Sequence, residues 1–112
     1  MNFENKIRIG CDIVDIKRIE KLKRDSLLKI FYESEIKNKS NESIAGLIAV
    51  KESCRKVFNM LEWKDIVIKK MKTGKPVLNI NSHKIKENII SSDLSISHDG
   101  NYAISAVIFL LK

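Results

Sequence analysis

The chain has 112 residues, of which 44% are hydrophobic and 31% charged, and this composition predicts one domain over residues 1–112 with a buried core. No apolar segment approaches the ~20 residues of a membrane-spanning helix, and the N-terminus lacks a signal-peptide core, so a cytoplasmic protein without membrane contact is expected. The net charge of +7 indicates an acidic partner (a nucleic acid, a nucleotide cofactor or an acidic protein) or reflects the lysine bias of an AT-rich genome. Cys11 and Cys54 lack metal-ligand spacing, which favours reduced thiols over a disulfide.

The N-terminal half of the chain predicts one strand followed by helices. Residues 7–14 alternate between apolar and other side chains, which is the pattern of a strand. Helical spacing follows over residues 15–30, and residues 31–39 predict a turn or a short helix. Residues 40–61 predict a long helix that Ser40, or the asparagine after it, can cap. The candidate buried positions of the two main helices are Ile16, Ile19, Leu22, Leu27, Ile44, Leu47, Ile48, Cys54, Val57, Phe58 and Leu61.

The C-terminal half of the chain predicts mostly strands. Short β-prone runs cover residues 65–71, 77–80, 94–98 and 102–111, and residues 83–90 could form a helix. Turn-forming residues join the first two runs at 73–76 and the last two at 99–101, where Asp-Gly-Asn is a strong hairpin signal. This order of elements predicts an α+β fold, a single domain with a mainly antiparallel sheet packed against one long and several shorter helices.

Two carboxylates interrupt apolar patterns in a way that suggests chemistry. Asp12 lies inside the first strand, where aspartate is unfavourable. Glu52 shares a face of the long helix with Lys56 and with two alanines, which would let another element pack close to it. Paired, the two carboxylates would form an oxygen site with open positions, of the kind that Mg²⁺ prefers when it also binds substrate phosphates. Lys56 would neutralise charge on transferring phosphoryl oxygens.

Each of these residues also has a purely structural interpretation. Asp12 could cap the following helix, and Glu52 with Lys56 could be an ordinary ion pair on a solvated helix face. His98, near the hairpin, is either a surface residue or a phosphate contact or proton acceptor. Lys75 lies in a tight turn, where lysines are usually solvated. The residues alone leave these alternatives open.

A row of cations marks the predicted helix over residues 15–30. Such a row is either the polar side of an amphipathic helix or a docking surface for an acidic protein helix. Its members are Lys17, Arg18, Lys21 and Arg24.

Two other functional classes fit parts of the sequence. A metal-dependent nuclease also uses Asp, Glu and Lys, but it usually places a lysine two residues after an acid, where this chain has Cys54. A non-catalytic basic RNA-binding module often stacks bases on aromatic side chains, and here aromatics are 6% of the chain and form no strand cluster. The RNA-binding module is kept as the alternative function.

Five short segments, in order, are similar to the motifs of one family. They are residues 10–14 (G-x-D-I/V-V), Phe31 with Glu35 (F-x-x-x-E), residues 49–53 with Lys56 after them (A-A-K-E-A), residues 74–76 (G-K-P) and residues 95–98 (S-I/L-S-H). From about residue 9 to residue 109, the chain therefore resembles the short bacterial holo-acyl-carrier-protein synthases, a branch of the 4′-phosphopantetheinyl transferases.

The resemblance implies the fold and the reaction of that family. Its members move the 4′-phosphopantetheine arm of coenzyme A to a serine of apo-acyl carrier protein and release adenosine 3′,5′-bisphosphate. By this resemblance, Asp12 and Glu52 bind Mg²⁺, which grips the coenzyme A pyrophosphate. Lys56 would steady the same phosphates during an in-line displacement.

The resemblance also assigns the remaining binding residues and partners. Lys75 and His98 would hold the region of the adenosine 3′-phosphate, with Gly74, Pro76 and Ser97 as further substrate contacts. The basic helix would receive the acidic acyl carrier protein. Members of the family are typically trimers with active sites at subunit interfaces, so a homotrimer is expected, without a nucleic acid or a membrane as partner.

The chain departs from the family pattern beside the long helix. Leu47 stands where an arginine is usual, and Ile48 where an aromatic residue is usual. Val50 and Ser53 replace small residues of the helix motif, and the loop at residues 59–63 is shorter and lacks glycine. These changes concern the cradle for pantetheine and pyrophosphate rather than the predicted metal ligands.

Overall fold

The computed structural model describes residues 4–112, with Ser82 described by its backbone alone, so part of the N-terminal segment used in the signal-peptide prediction lies outside it. The strands are β1 (Lys6–Asp15), β2 (Ile66–Lys70), β3 (Pro76–Ile80), β4 (Ile89–Asp99) and β5 (Tyr102–Leu111). The helices are α1 (Ile16–Glu20), α2 (Arg24–Ile30), α3 (Glu33–Ile36) and α4 (Asn41–Val57), with 3-10 turns at Trp63–Asp65 and Ser82–Lys84. Antiparallel pairing gives a sheet in the order β1-β5-β4 and a separate β2-β3 hairpin, which confirms the predicted α+β class.

Helix α4 packs across one face of the β1-β5-β4 sheet and supplies much of the core. It begins as predicted, because the Ser40 hydroxyl accepts a hydrogen bond from the backbone N–H of Ser43. Its contact side is lined by small residues, and Ala45 and Ala49 are fully buried. Buried side chains lie on most sides of the helix rather than along a single stripe. Its buried residues are Ile44, Ala45, Gly46, Leu47, Ile48, Ala49, Val50, Lys51, Ser53 and Cys54.

Strand β1 approaches α4 closely at Gly10. A Cβ atom at Gly10 would overlap the Ser53 carbonyl oxygen and would lie 3.0 Å from the Ser53 carbonyl carbon and 3.1 Å from Val57 Cγ2. Glycine is therefore required for this contact between the two backbones. Because Asp12 follows Gly10 by two residues and Glu52 precedes Ser53, the same contact brings the two predicted carboxylate-bearing segments together.

The prediction of one continuous helix over residues 15–30 is wrong, since the helix is interrupted between α1 and α2. Asp15 caps α1 by accepting a hydrogen bond from the Lys17 N–H at 3.0 Å, so Asp15 rather than Asp12 has the capping role. Leu22 lies in the break and is 38% exposed, which also overturns its predicted burial. A continuous helix would stack Lys17, Lys21 and Arg24 on successive turns, and such like-charge pairs are unfavourable.

Helix α4 ends at Val57 rather than near residue 61. Phe58 leaves the helical region, with φ −123° and ψ 86°, and the turn that follows buries Leu61 in the core. Arg55 Nε then donates to the Leu61 carbonyl oxygen at 3.0 Å, which fixes the turn. Core burial of Leu61 therefore overrides the helical spacing.

Residues 83–90, predicted as a helix, form a short turn and the beginning of a strand. The backbones of Asn88 and Lys112 exchange two hydrogen bonds, at 3.1 and 2.9 Å. Strand β4 then starts at Ile89, with an irregularity before Ser91, and pairs with β5 along its whole length. Pairing with the C-terminal strand outweighs the local helical pattern, as strand formation depends strongly on tertiary context.

Both cysteines are free, and they differ in environment. Cys54 is fully buried on α4, and burial raises the pKa of its thiol to about 12, so it is an unreactive core residue. Cys11 lies on the opposite face of the sheet, where it is exposed.

That opposite face of β1 and β5 is apolar and exposed in the single chain. Ile9 is 75% exposed and Ile7 67%, although side chains of this type usually line an interior. The face also carries Ile13, Tyr102, Ile104 and Ile108. Within residues 4–112, no helix combines the length and the apolar character needed to cross a membrane.

Candidate active site

Asp12 and Glu52 line one cavity of about 490 Å³. Strand β1 directs Asp12 to the sheet face that packs on α4, and Glu52 projects from α4 near the same place. The Asp12 side chain is 16% exposed and the Glu52 side chain 35% exposed, so both carboxylates can be reached from solvent. The predicted juxtaposition of these two side chains is therefore present in the fold.

Each carboxylate has a cationic partner. Lys56 Nζ donates to Asp12 Oδ1 at 3.0 Å and to the Cys11 carbonyl oxygen at 2.9 Å. The hydrogen bond to Asp12 raises the pKa of Lys56, so this side chain carries its charge at neutral pH. Glu52 pairs with Arg55 instead, at 3.1 Å between Oε1 and Nη1. The structural alternative of a Glu52–Lys56 helix pair is thus wrong, because Lys56 reaches across to β1.

Arg55 is a site residue that the sequence patterns did not identify. Its guanidinium lies 4.6 Å from the centre of the Trp63 ring, in addition to its bonds to Glu52 and to the Leu61 carbonyl. The spacing of three residues from Glu52 was the available signal, since residues three apart on a helix are neighbours.

The predicted basic docking residues are divided by the break between α1 and α2. Arg18 and Lys21 line the cavity that contains the two carboxylates. Lys17 is exposed on α1, and Arg24 bonds to Glu33 at 3.0 Å on the surface. The expectation of one continuous basic helix face is therefore wrong. The remaining walls of this cavity are Ile13, Val14, Ile19, Leu22, Ile30, Ile48 and Trp63.

His98 lies at a second, larger cavity of about 570 Å³. Its Nε2 atom is 3.0 Å from the Glu42 carbonyl oxygen, which can only accept, so Nε2 donates. Gly46 on α4 makes room for this approach, because a Cβ atom there would lie 2.9 Å from Ile96 Cγ2 and 3.3 Å from His98 Nε2. The cavity also contains three lysines that the motifs did not include, namely Lys39, Lys69 and Lys70.

The other predicted substrate residues lie around the β2-β3 turn and on β4. Gly74 has φ +86°, which favours glycine in that turn. Pro76 lines the His98 cavity, whereas Lys75 Nζ lies 3.6 Å from Asp93 Oδ1 on β4. Ser97 is adjacent to His98 in a strand and therefore points to the opposite face of the sheet. Within one chain, Ser97 does not share the His98 cavity.

The donor sets of the two cavities suit different chemical groups. Across residues 4–112 there is no cluster of three or more His, Cys, Asp or Glu side chains. The pair Asp12 and Glu52 instead suits a hard cation such as Mg²⁺, which takes its other ligands from water and phosphate. The lysines and His98 of the second cavity suit a phosphate group.

Comparison with known proteins gives the family of this chain. A model of the family described as 4′-phosphopantetheinyl transferase, N-terminal, matches residues 12–109. The holo-acyl-carrier-protein synthase of Campylobacter fetus is 40% identical over 111 residues, with 89% of this chain and 96% of that protein covered. That of Nautilia profundicola is 41% identical over 112 residues, with 91% and 98% covered. The chain belongs to the 4′-phosphopantetheinyl transferases and, within them, to the family of the holo-acyl-carrier-protein synthases.

Solved structures agree with this assignment. The Helicobacter pylori holo-acyl-carrier-protein synthase in complex with coenzyme A superposes with a TM-score of 0.79 at 36% identity, over 91% of this chain and 99% of that one. The Bacillus anthracis synthase in complex with coenzyme A (3′,5′-ADP) gives 0.78 at 28% identity, over 93% and 96%. The predicted 4′-phosphopantetheinyl transferase fold is thus confirmed.

Proposed function

We propose that this protein transfers the 4′-phosphopantetheine group from coenzyme A to a serine of apo-acyl carrier protein. The serine oxygen forms a bond to the phosphorus that carries the pantetheine arm, and the bond from that phosphorus to adenosine 3′,5′-bisphosphate breaks. The observation that carries the proposal is that Asp12 and Glu52 line one cavity, with Lys56 bonded to Asp12, in a chain of this family. The coenzyme A complex of the Helicobacter pylori relative supports the choice of donor.

Asp12 and Glu52 would hold Mg²⁺, and the bound ion would supply positive charge at the pyrophosphate. The described geometry supports this role, because both carboxylates reach the same cavity and both are partly solvated. Lys56 is held by Asp12 and by the Cys11 carbonyl, so its ammonium is fixed before substrate arrives. A preorganised cation of this kind stabilises charge that develops during phosphoryl transfer.

The adenosine 3′-phosphate region of coenzyme A would bind at the His98 cavity. The proposed contacts within that cavity are Pro76 and His98, with Gly74 and Lys75 in the adjoining β2-β3 turn. Ser97, on the other face of the sheet, is a proposed contact for a neighbouring chain's ligand, and Lys56 is proposed to contact the pyrophosphate. Lys39, Lys69 and Lys70 line the same cavity and add positive charge where a phosphate would lie.

The acyl carrier protein would dock beside the carboxylate cavity. Arg18 and Lys21 border that cavity, and Lys17 and Arg24 flank them in sequence. A row of exposed cations attracts an acidic protein surface over distances up to about 10 Å, the screening length at 0.1 M salt.

A cytoplasmic homotrimer with interfacial active sites would join the two cavities. The lining residues described for the Asp12 cavity and for the His98 cavity do not overlap. The exposed apolar face formed by Ile7, Ile9 and Ile13 is the surface that a second chain would cover. A neighbouring chain could then present its His98 cavity to Asp12 and Glu52, and Ser97, on the sheet face opposite His98, could reach a site as well.

Mass spectrometry of an apo-acyl carrier protein tests the proposed function directly. The carrier is incubated with this protein, coenzyme A and Mg²⁺, and the expected product carries phosphopantetheine on one serine. Removal of divalent metal with EDTA should prevent the addition, and renewed Mg²⁺ should restore it. An unmodified carrier under all of these conditions contradicts the proposal.

A further inference from the structure

Two of the sequence motifs contain buried residues to which the proposed transfer assigns no contact, although Glu35 also lines the His98 cavity. Phe31 and Glu35 form one motif, and Lys51 precedes Glu52 in another. All three are buried, with Lys51 0% and Glu35 6% exposed. Lysine and glutamate are almost never fully buried unless they are paired, so their position requires a specific arrangement around them.

The Lys51 ammonium uses every one of its donors inside the protein. Lys51 Nζ donates to the Ile30 carbonyl oxygen at 2.9 Å, to Glu35 Oε1 at 3.1 Å and to the Trp63 carbonyl oxygen at 3.2 Å. The Phe31 ring faces the same nitrogen at 4.5 Å from its centre. A lysine ammonium has three N–H donors, so this cation is completely satisfied.

The oxygens around Lys51 come from segments that are far apart in the chain. Ile30 ends α2, Glu35 lies in α3, and Trp63 begins the 3-10 turn after α4. Ile30 and Trp63 are also two walls of the cavity that contains Asp12 and Glu52. The buried ammonium therefore ties two walls of that cavity to the helix that carries Glu52.

We propose that Lys51 is a positioning residue for the transfer reaction, which holds the Ile30 and Trp63 walls against α4 and so fixes the shape of the carboxylate cavity. This inference rests on the proposed function, because it takes that cavity as the place of the chemistry. Stability alone does not account for the arrangement, since apolar replacement of a buried ion pair is often neutral or stabilising. An apolar side chain could fill the volume but could not bind the two carbonyl oxygens.

The variant that tests this role is the double substitution Lys51→Met with Glu35→Gln. Lys51→Met alone would leave the buried Glu35 carboxylate without its cation and could unfold the chain. The double variant removes both charges, nearly keeps the side-chain volumes and loses the bonds to the two wall carbonyls. Lys29→Met, on the exposed side of α2, is the matched control for the same chemical change.

The fluorescence of Trp63 reports directly on the exposure of this cavity wall, because Trp63 is the only tryptophan in the sequence. In the double variant, acrylamide should quench Trp63 fluorescence about twofold more efficiently than in the wild type, without substrate or metal present. Steady-state kcat should fall roughly 10- to 100-fold, the scale on which small misplacement of reacting groups lowers turnover. The Lys29→Met control should change neither quantity.

Two results would overturn the positioning role. One is a folded double variant with wild-type quenching of Trp63, and the other is increased quenching with an unchanged kcat. Failure of the proposed function would look different, because the wild-type protein would then leave the carrier unmodified. In that case the quenching experiment still decides whether Lys51 holds the wall, since it needs no substrate.

Discussion

At the residue scale, Asp12 and Glu52 are held in different ways. The Asp12 carboxylate is fixed by Lys56, which is itself bonded to the β1 backbone, whereas Glu52 pairs with Arg55 on its own helix. Neither carboxylate is part of the apolar core. Replacing either should therefore affect chemistry more than folding.

We expect Asp12→Asn to lower Mg²⁺-dependent turnover roughly 100-fold or more, the loss typical of removing one preorganised electrostatic group. Asparagine keeps the volume of the side chain, so thermal unfolding should remain cooperative and near the wild-type temperature. Turnover at saturating Mg²⁺ and the melting temperature are the two measurements. Asp25→Asn, on the exposed first turn of α2, is the control. Full activity of Asp12→Asn would rule out its role as a ligand.

Lys56→Ala should reduce kcat more than it weakens the binding of coenzyme A. The ammonium contributes to the stabilisation of charge that develops in transfer, so its loss should appear mainly in kcat. Calorimetric titration of coenzyme A and steady-state kinetics separate the two effects. Lys86→Ala, an exposed lysine elsewhere, should leave both unchanged. A purely structural role for the Lys56–Asp12 pair would give near-normal kcat with a small change in stability.

At the element scale, the contact of β1 with α4 sets the spacing of the carboxylates. Gly10→Ala would place a methyl group against the backbone of Ser53, so the helix would have to move away from the strand. We expect a loss of about 1–3 kcal/mol in the free energy of unfolding, typical of overpacking, together with weaker Mg²⁺ dependence of turnover.

Urea unfolding and a Mg²⁺ titration of activity measure the two consequences of Gly10→Ala. Cys11→Ala is the control, because Cys11 follows Gly10 but points to the other face of the sheet. If Gly10→Ala matches the wild type in both measurements, the close contact does not control the site.

The break between α1 and α2 makes the carrier-docking proposal testable with a matched pair of variants. Reversal of Arg18 and Lys21 to glutamate changes the cations that border the carboxylate cavity, whereas reversal of Lys17 and Arg24 changes those that do not. We expect the first double variant to raise the KM for the carrier protein and to flatten its salt dependence. The second should have a smaller effect, and neither should alter the KM for coenzyme A. Equal effects on both substrates would contradict the docking role.

Sequence patterns correctly predicted the features that depend only on a few consecutive residues. The Asp99-Gly100-Asn101 hairpin and the Ser40 cap are of this kind, since a turn or a cap is encoded within a few residues. The short turn and strand beginning that replace the predicted helix over residues 83–90 could not be predicted from the sequence, because they depend on backbone pairing with the C-terminal Lys112.

The same distinction applies to the candidate site. Asp12 and Glu52 could be identified because a carboxylate in an apolar pattern is unusual, and glycine beside Asp12 marks close packing. The buried Lys51 could not, because its importance comes from partners on other segments. A lysine on a helix normally indicates a solvated face, and nothing in its spacing predicts the oxygens of Ile30 and Trp63.

At the scale of the whole molecule, two inactive variants should complement each other if the site forms between chains. Asp12→Asn and His98→Ala each remove one half of the proposed site. In randomly mixed trimers, about a quarter of the interfaces would combine an intact Asp12 with an intact His98 from the neighbour. We therefore expect a mixture refolded together to recover about a quarter of wild-type activity. Separate refolding before mixing is the control, and no recovery after joint refolding would place each site within one chain.

The separation of the two cavities has a further consequence for when the protein can act. If the metal half and the nucleotide half of each site lie on different chains, as proposed, a single newly synthesised chain would have no complete centre and would consume no coenzyme A. Specific activity should then rise with the concentration of the chain until assembly is complete. The apolar sheet face is exposed on a lone chain and would be covered only on assembly, which requires enough copies of the chain. The rate of carrier-protein modification would therefore depend on the abundance of the transferase itself.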